Sequence, residues 1–404
     1  MNVKSIIHLD LDTFFVSVER RLDSRLENKP VLVGGLSERG VVAACSYETR
    51  EFGVHSGMSM RVARQLCPQA TVIRGNAGTY TKYSREVTDI IKSKVPSFEK
   101  ASVDEFYADL TGMDKFFGIE KFATELRKTI IKESGLPISF GLSQNKVVSK
   151  IATGVAKPNA EKVVHSGEEK GFLAPLPINK IPMVGNKTFR TLIELGIHKV
   201  ETIQQMPVEM MESVLGKNGR IIWERANGID NSPIIPFHER KSISAERTFH
   251  KDTIDVIRLH SSLVAMAENL AFHLRNGNKL TSCVSVKIRY SDFQTYSKQA
   301  KIPYTSADHI LIPKIMELFK QLYNRRILIR LIGIKFSDLA GGNYQISLFD
   351  DSEEMLSLYN SMDKIRNRFG PHSVIKACTL GADIARIDNP FNGEPPVIPA
   401  HRNQ

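Results

Sequence analysis

Residues 6–15 read IIHLDLDTFF, an apolar run broken by two carboxylates one residue apart. Asp10 and Asp12 alternate with Leu9 and Leu11, so on a strand the two acids share one face. A charge pair inside an apolar strand is costly to bury unless a cation or a hydrogen-bond donor compensates it. From Phe14 the pattern turns helical, and VKSIIHLDLDTFFVSVERRL (3–22) reads as a buried strand running directly into a helix.

Two chemistries use such a pair. In a phosphatase of the haloacid-dehalogenase type, Asp10 would attack phosphorus and Asp12 would serve as acid. In a nucleotidyl transferase, the strand would hold metal ions under a triphosphate. A second acidic pair, Asp104-Glu105, interrupts another apolar strand, FEKASVDEFYADLTG (98–112). Neighbours on a regular strand point to opposite faces, so both acids converge only at a strand end or a bulge. Three or four carboxylates from two adjacent strands make a hard-oxygen site suited to Mg²⁺. Tyr47 and Arg50 in SYETREFG (46–53) are neighbours if that turn is helical. Lys157 stands where a helix over 146–156 stops before Pro158. Cationic and phenolic donors beside a metal site are what a triphosphate needs.

The 404 residues suffice for about three or four domains. Apolar content is 42%, and no apolar stretch approaches the about 20 residues that span a bilayer. The N-terminus lacks a signal-peptide layout. Cys45, Cys67, Cys283 and Cys378 have no metal-type spacing, which fits a reduced, cytoplasmic setting. The net charge is +11, and residues 240–340 alone carry 17 Lys/Arg against 8 Asp/Glu. So local a surplus predicts a basic face for a polyanionic partner.

Along the chain, KPVLVGG (29–35) and GVVAACSY (40–47) read as strands and GTYTKYSREVTDIIKSKV (78–95) as a helix. FATELRKTIIKESG (122–135) is a helix stopped by Gly135, PISFGLS (137–143) a strand, and NKVVSKIATGVAKPN (145–159) a helix. This alternation over 1–165 predicts an α/β domain with an insertion near 13–75. Residues 167–232 read as helical throughout, with Gly185 and Gly196 punctuating two short helices in IPMVGNKTFRTLIELGI (181–197). DNSPIIPFHERK (230–241) reads as a linker. From 242 to 341 the order strand–helix–strand–strand–helix–strand predicts an α+β domain. The remainder is polar, with one helix near 352–369 and a proline-rich end.

Taken in order, DLDTFFVSVE (10–19), SYETREFGV (46–54), SVDEFYADLT (102–111), GLSQNKVVSKIATGVAKPN (141–159), LIELGI (192–197) and RLIGIKFSDL (330–339) resemble the Y-family DNA polymerases of the DinB type. The resemblance implies a right-hand polymerase of mixed α/β and α+β class: palm at 1–12 and 76–166, fingers at 13–75, a helix-hairpin-helix thumb at 167–232, a linker at 233–241, a little finger at 242–341 and a tail at 342–404. It implies Asp10, Asp104 and Glu105 as the catalytic acids, and two Mg²⁺ ions held by these and the Leu11 carbonyl. Asp12 is then a supporting acid rather than a ligand. Phe14, Phe15, Tyr47, Arg50 and Lys157 match nucleotide-binding positions, with Phe15 the steric gate against a ribose 2′-hydroxyl. Ala43 and Gly57 match small residues roofing the nascent pair. The implied activity is template-directed, low-fidelity primer extension across damaged DNA by a cytoplasmic monomer, with primer–template DNA and deoxynucleoside triphosphates as partners and no membrane.

Departures exist. Ala44 stands where relatives place a threonine, and Met183 where a glycine is expected. A phosphatase would leave the second acidic pair and the basic domain without work. A DNA-binding protein with a dead site is at odds with the intact Asp10, Asp104 and Glu105.

QISLF (345–349) resembles the peptide by which bacterial polymerases dock on the sliding clamp, with Gln345, Leu348 and Phe349 as its contacts. Leu348 and Phe349 are two large apolar residues in the polar stretch GGNYQISLFDDSEE (341–354). Burying them in a partner's pocket contributes roughly 2 kcal/mol each. Replacing Gln345, Leu348 and Phe349 together with alanine should spare primer extension by the isolated enzyme and remove stimulation by the clamp. Loss of basal activity with stimulation retained would assign these side chains to the fold.

Overall fold

Strand β1 (Ile6–Leu11) is the centre of a five-stranded sheet of order β5-β6-β1-β7-β8. The computed structural model describes residues 4–37, 39–113, 118–341 and 352–382. The clamp-type peptide at 345–349 lies outside them. The other strands of this sheet are β5 (Phe98–Lys100), β6 (Glu105–Asp109), β7 (Ile138–Ser143) and β8 (Glu161–Val163). β1 runs antiparallel to both β6 and β7.

Alternation decides the layering. Ile7, Leu9 and Leu11 face one side with Phe106, Ala108, Phe140 and Leu142, all buried. Helices α4 (Ala77–Lys94) and α5 (Ile119–Ser134) close this side with Val87, Ile91, Leu126 and Ile130. Both helices end as their sequences imply. Asn76 caps the first through its side chain, and Gly135 ends the second in the left-handed region at φ 67°. The opposite side carries His8, Asp10, Ser139 and Gly141, and there α6 (Lys146–Ala156) lies close against the sheet. Gly141 makes that approach possible, since a Cβ there would collide with the Ser149 carbonyl.

Between these elements, α1 (Phe14–Leu22), α2 (Tyr47–Arg50) and α3 (Met60–Leu66) accompany a small sheet of order β3-β2-β4, formed by β2 (Val31–Gly34), β3 (Val42–Cys45) and β4 (Thr71–Ile73). It has its own core of Leu32, Val42, Cys45, Val54, Met60, Ala63 and Cys67. A two-pronged contact from Arg20 to both Glu48 carboxylate oxygens, each at 2.9 Å, locks α1 to α2.

The far face of α6 joins another core, in which Val148, Ile151 and Ala152 pack with Leu173, Ile178, Leu192, Ile203 and Ile222. Its helices are α7 (Glu169–Leu173), α8 (Asn186–Glu194), α9 (Val200–Gln205), α10 (Val208–Leu215) and α11 (Lys217–Ala226). Of the two short helices expected within 181–197, punctuated by Gly185 and Gly196, one is present, α8, which Gly185 precedes and Gly196 follows. The segment before it is a single 3-10 turn, Ile178–Lys180, which Pro182 cannot extend. The segment read as a linker is partly fixed: the Ile235 N–H donates to Glu99 Oε2 at 2.8 Å.

Residues Glu239–Asn389 form a second compact unit. Its sheet has the order β11-β10-β12-β9, from β9 (Ser242–Thr253), β10 (Lys279–Tyr290), β11 (Thr295–Thr305) and β12 (Ile329–Gly341). Helices α12 (Val256–Asn276) and α13 (Asp308–Leu322) cover one face with Leu263, Leu270, Leu311 and Phe319. A helix near 352–369 is present as α14 (Ser352–Phe369). It belongs to this unit, because buried Arg275 bridges Asp308 of α13 and Asp363 of α14, at 2.8 and 2.5 Å. The sequence read this helix as polar because much of its contact with the unit is made of charges, with the Tyr359 ring stacked on His309 beside them. Among the described residues no helix is long and apolar enough to cross a membrane.

The Val184 N–H donates to the Ile181 carbonyl at 3.1 Å, across Pro182 and Met183. Proline at the second position and φ 77° at Met183 mark a type II turn, whose third position demands glycine. Met183 is 53% exposed, so its side chain gains little packing in return. Met183→Gly should therefore raise stability by about 1 kcal/mol, read as a higher thermal midpoint. An unchanged midpoint would show that the turn holds Met183 without strain.

Candidate active site

The register of the central sheet sets Asp10 directly opposite Glu105. Opposed residues of an antiparallel pair share a face, and like charges placed so destabilise the pair unless a cation intervenes. Asp104 lies in the turn that precedes β6, the strand-end geometry that lets adjacent acids converge. Ser102 builds that turn. Its Oγ accepts from the Asp104 N–H at 3.2 Å and the Glu105 N–H at 3.0 Å, and donates a short bond to Asp104 Oδ1. The Leu11 N–H donates to the Asp104 carbonyl at 3.0 Å, tying the turn to the end of β1.

The cations come from one face of α6 and the residue that follows it. Ser149, Lys150, Thr153 and Lys157 recur at helical spacing and look onto β1 and β6. Lys150 Nζ lies 2.5 Å from Glu105 Oε1, and Lys157 Nζ 2.5 Å from Asp10 Oδ1. Ser149 donates to the Ile6 carbonyl at 2.7 Å and Thr153 to the His8 carbonyl at 3.0 Å, which fixes the helix on the strand. Burial, with Lys150, Lys157 and Lys146 nearby, holds His8 well below the ordinary histidine range, so it stays neutral.

Burial pushes the Asp10 carboxyl up to about 7, Lys157 opposing and Glu105 and Asp104 reinforcing. Asp104 is raised as well, first by burial. Among the described residues no three acidic, histidine or cysteine side chains are drawn together at ligand distance. Two of these three acids point instead to lysines. The donor set is nonetheless hard and acceptor-only, and burial makes its full ionisation unfavourable without added positive charge. Such a set fits a divalent cation.

Asp12 is the deepest of the acids at this site, 2% exposed. Ser139 Oγ donates to its two oxygens at 3.1 and 2.9 Å, the Asn159 N–H at 2.7 Å and the Tyr47 hydroxyl at 3.3 Å. Tyr47 opens α2, and the Arg50 guanidinium lies over its ring at 4.9 Å. Phe15 is half-buried and stacks on Tyr80 at 4.1 Å, with the Tyr80 hydroxyl donating to Glu19 at 2.6 Å. The Phe14 ring is buried in the main core, with the Phe15 ring 5.4 Å away and the Tyr80 ring edge-on at 6.3 Å. Ala43 and Gly57 are exposed, and a Cβ on Gly57 would meet open space.

The structure thus brings together Asp10, Leu11, Asp104, Glu105, Tyr47 and Lys157, with Arg50 adjoining through Tyr47, while Phe15 is stacked on Tyr80. Sequence reading missed Lys150, Ser139, Tyr80 and Lys100. Lys150 had a signal, lying seven residues before Lys157 on the same helical face. Ser139 and Tyr80 had none short of the register and the helix packing. Lys100 is buried under the acidic turn, donating to Ser84 Oγ at 2.7 Å and Thr88 Oγ1 at 2.9 Å, while Ser84 Oγ donates to the Val103 carbonyl at 2.5 Å.

Residues 9–154 match the model of the impB/mucB/samB family, and residues 240–348 that of the impB/mucB/samB family C-terminal domain. A DNA polymerase IV of Dehalococcoides mccartyi is 39% identical over 378 residues, covering 93% of this chain and 97% of its own. A protein of Methanosarcina mazei named DNA polymerase IV 2 is 34% identical, covering 86% and 95%. The solved structure of a Y-family DNA polymerase chimera superposes with a TM-score of 0.74 at 27% identity, over 84% of this chain and all of its own.

Burial foremost, then Arg85, pushes the Lys100 ammonium down to about 8. An unfolded lysine keeps its proton to about 10.4. Between those values the unfolded chain binds more protons than the folded one, so this group adds stability as pH rises. From about pH 7 to 9.5 the wild type should therefore gain in thermal midpoint relative to Lys100→Met. A gap that does not change with pH would place the ammonium in a wetter environment.

Proposed function

Because the chain belongs to the impB/mucB/samB family of Y-family DNA polymerases, we propose that it extends a DNA primer on a template, at low fidelity and across damaged bases, from the Asp10–Asp104–Glu105 pocket. The observation that carries the site is the opposition of Asp10 and Glu105 across β1 and β6, with Asp104 tied to Leu11 and lysines supplied by α6. On this reading residues 1–12 and 76–166 are the palm, 13–75 the fingers, 167–232 the thumb, and 242–341 the little finger.

Asp10, Asp104, Glu105 and the Leu11 carbonyl would hold two Mg²⁺ ions. When bound, these lower the pKa of the primer 3′-hydroxyl and neutralise charge on the triphosphate and the departing pyrophosphate. The chain's own residues bind and orient. Tyr47, Arg50 and Lys157 are the donors for the triphosphate, with Arg50 held over the Tyr47 ring. Phe15, backed by its stack on Tyr80, excludes a 2′-hydroxyl by bulk. Most of the rate comes from positioning and charge stabilisation rather than covalent chemistry.

The second unit suits a polyanion. Val284, Val286 and Ile288 on β10 face the helices, so Ser285, Lys287 and Arg289 line the other face. The register sets Lys335, Gln299, Ser297 and Thr295 beside them, and Lys301 beside Cys283 two residues along β10. A basic sheet face with small hydroxyls suits the phosphate backbone of primer–template DNA. The enzyme works as a cytoplasmic monomer, and Gln345, Leu348 and Phe349 recruit the sliding clamp.

Asp104→Asn and Glu105→Gln should each abolish primer extension while primer–template affinity stays within about threefold, because phosphate contacts dominate binding. Near-wild-type turnover by either variant in Mg²⁺ would refute the assignment of the acids.

A further inference from the structure

Asp12 takes no part in the chemistry above, yet it is the most deeply buried acid of the site. Its donors come from three separate places: Ser139 on β7, Asn159 in the turn after α6, and Tyr47 at the start of α2. Lys157 Nζ stands 3.8 Å from Asp12 Oδ1, beside its closer contact with Asp10. Two of these four groups, Tyr47 and Lys157, are the donors assigned above to the triphosphate. The other two fasten the carboxylate to the sheet and to the turn that carries Lys157.

The residue type follows from these partners. An ionised carboxylate is acceptor-only, with room for about four donors. An amide in the same place would turn an N–H₂ group toward one of the hydroxyl or N–H donors. Ser139 is fixed by its place on β7 opposite Asp10, so the carboxylate is anchored to the same strand pair that carries the catalytic acid. Tyr47 lies on the other side, on a helix that belongs to a different small sheet, where Ser46 ties its start to Val31 of β2 and Arg20 pairs with Glu48. Asp12 thus reaches both the sheet, through Ser139, and the Tyr47 hydroxyl.

We infer that Asp12 is a positioning residue for the incoming nucleotide: it holds the Tyr47 hydroxyl and the Lys157 ammonium where the triphosphate takes them up, without itself touching the nucleotide. The inference rests on the polymerase reading of the site. A residue acting in this way sets the affinity for the nucleotide and not the rate of the chemical step. A residue that merely braces the fold sets neither.

The test is steady-state extension of a primer–template by one nucleotide with dTTP, with thermal midpoints measured alongside. Asp12→Asn should raise KM for dTTP about tenfold, the usual scale for losing a hydrogen bond to a charged group, and leave kcat within about twofold. In a Tyr47→Phe background the same substitution should raise KM by clearly less, because part of its effect passes through the missing hydroxyl. Unchanged KM, a fall in kcat alone, or strict additivity in the cycle would each overturn the inference. Should Asp12→Asn fail to fold, Ser139→Ala decides: it removes an anchor of the carboxylate away from the nucleotide and should raise KM about two- to threefold. No rise would again overturn the proposal. Wild-type extension in the same assay separates the two failures: its absence would refute the polymerase assignment and this role with it, whereas wild-type extension with an unchanged KM in Asp12→Asn would refute the role alone.

Discussion

The repulsion between Asp10 and Glu105 governs the N-terminal unit. Hydrogen-bond register places the two carboxylates face to face in a half-buried setting, where burial foremost, reinforced by Glu105 and Asp104 and opposed by Lys157, raises Asp10 to about 7. Nothing on β1 or β6 can offset that, because the aliphatic residues of both strands point into the opposite core. Compensation must come from outside the sheet, and α6 brings it, with Lys150 on Glu105 and Lys157 on Asp10. The close seat of α6 follows from Gly141, from hydroxyl contacts of Ser149 and Thr153 to β1, and from an apolar far side that belongs to the next helical core.

A site assembled in this way stays ready for other cations. Each lysine ends a flexible four-carbon stem and is a point charge, able to move from a carboxylate to a phosphate without disturbing the backbone. The rigid parts lie beneath. Ser102 gathers two N–H groups into the acidic turn, Lys100 and Ser84 hold that turn from below, and Asp12 joins the sheet to Tyr47. The charged tips exchange partners above a frame of hydrogen bonds that does not.

The C-terminal unit uses buried charge differently. Arg275 is shared by Asp308 and Asp363, and Arg366 lies 3.3 Å from Asp363 and 3.6 Å from Glu268. A buried cluster of this kind contributes little net stability beside an apolar contact but is costly to break in part. It therefore specifies where α14 sits on α12 and α13. This leaves the outer face of the sheet, with Lys287, Arg289, Lys301 and Lys335, uncovered by these helices.

Alternation and punctuation determined the local elements. Leu9 and Leu11 beside Asp10 and Asp12 dictate β1 and its two faces, Gly135 and Asn76 mark helix ends, and the acidic pair at 104–105 requires a strand end. These are effects of residues within a few positions of one another, so sequence suffices for them. The order of motifs likewise carried the family and the acids Asp10, Asp104 and Glu105. Tertiary structure alone decided which side chains meet. That Ser139 reaches Asp12 depends on the register between β1 and β7, and that Tyr80 backs Phe15 depends on how α4 packs. The burial of Lys100 and the docking of α14 through Asp363 are also invisible locally, because a lysine or a polar helix reads as solvated until its partners, here 12 to 98 residues away, are brought against it. Hydrophobic periodicity records which face is buried, but the partners of a buried polar group are chosen by register and packing, which no single segment contains.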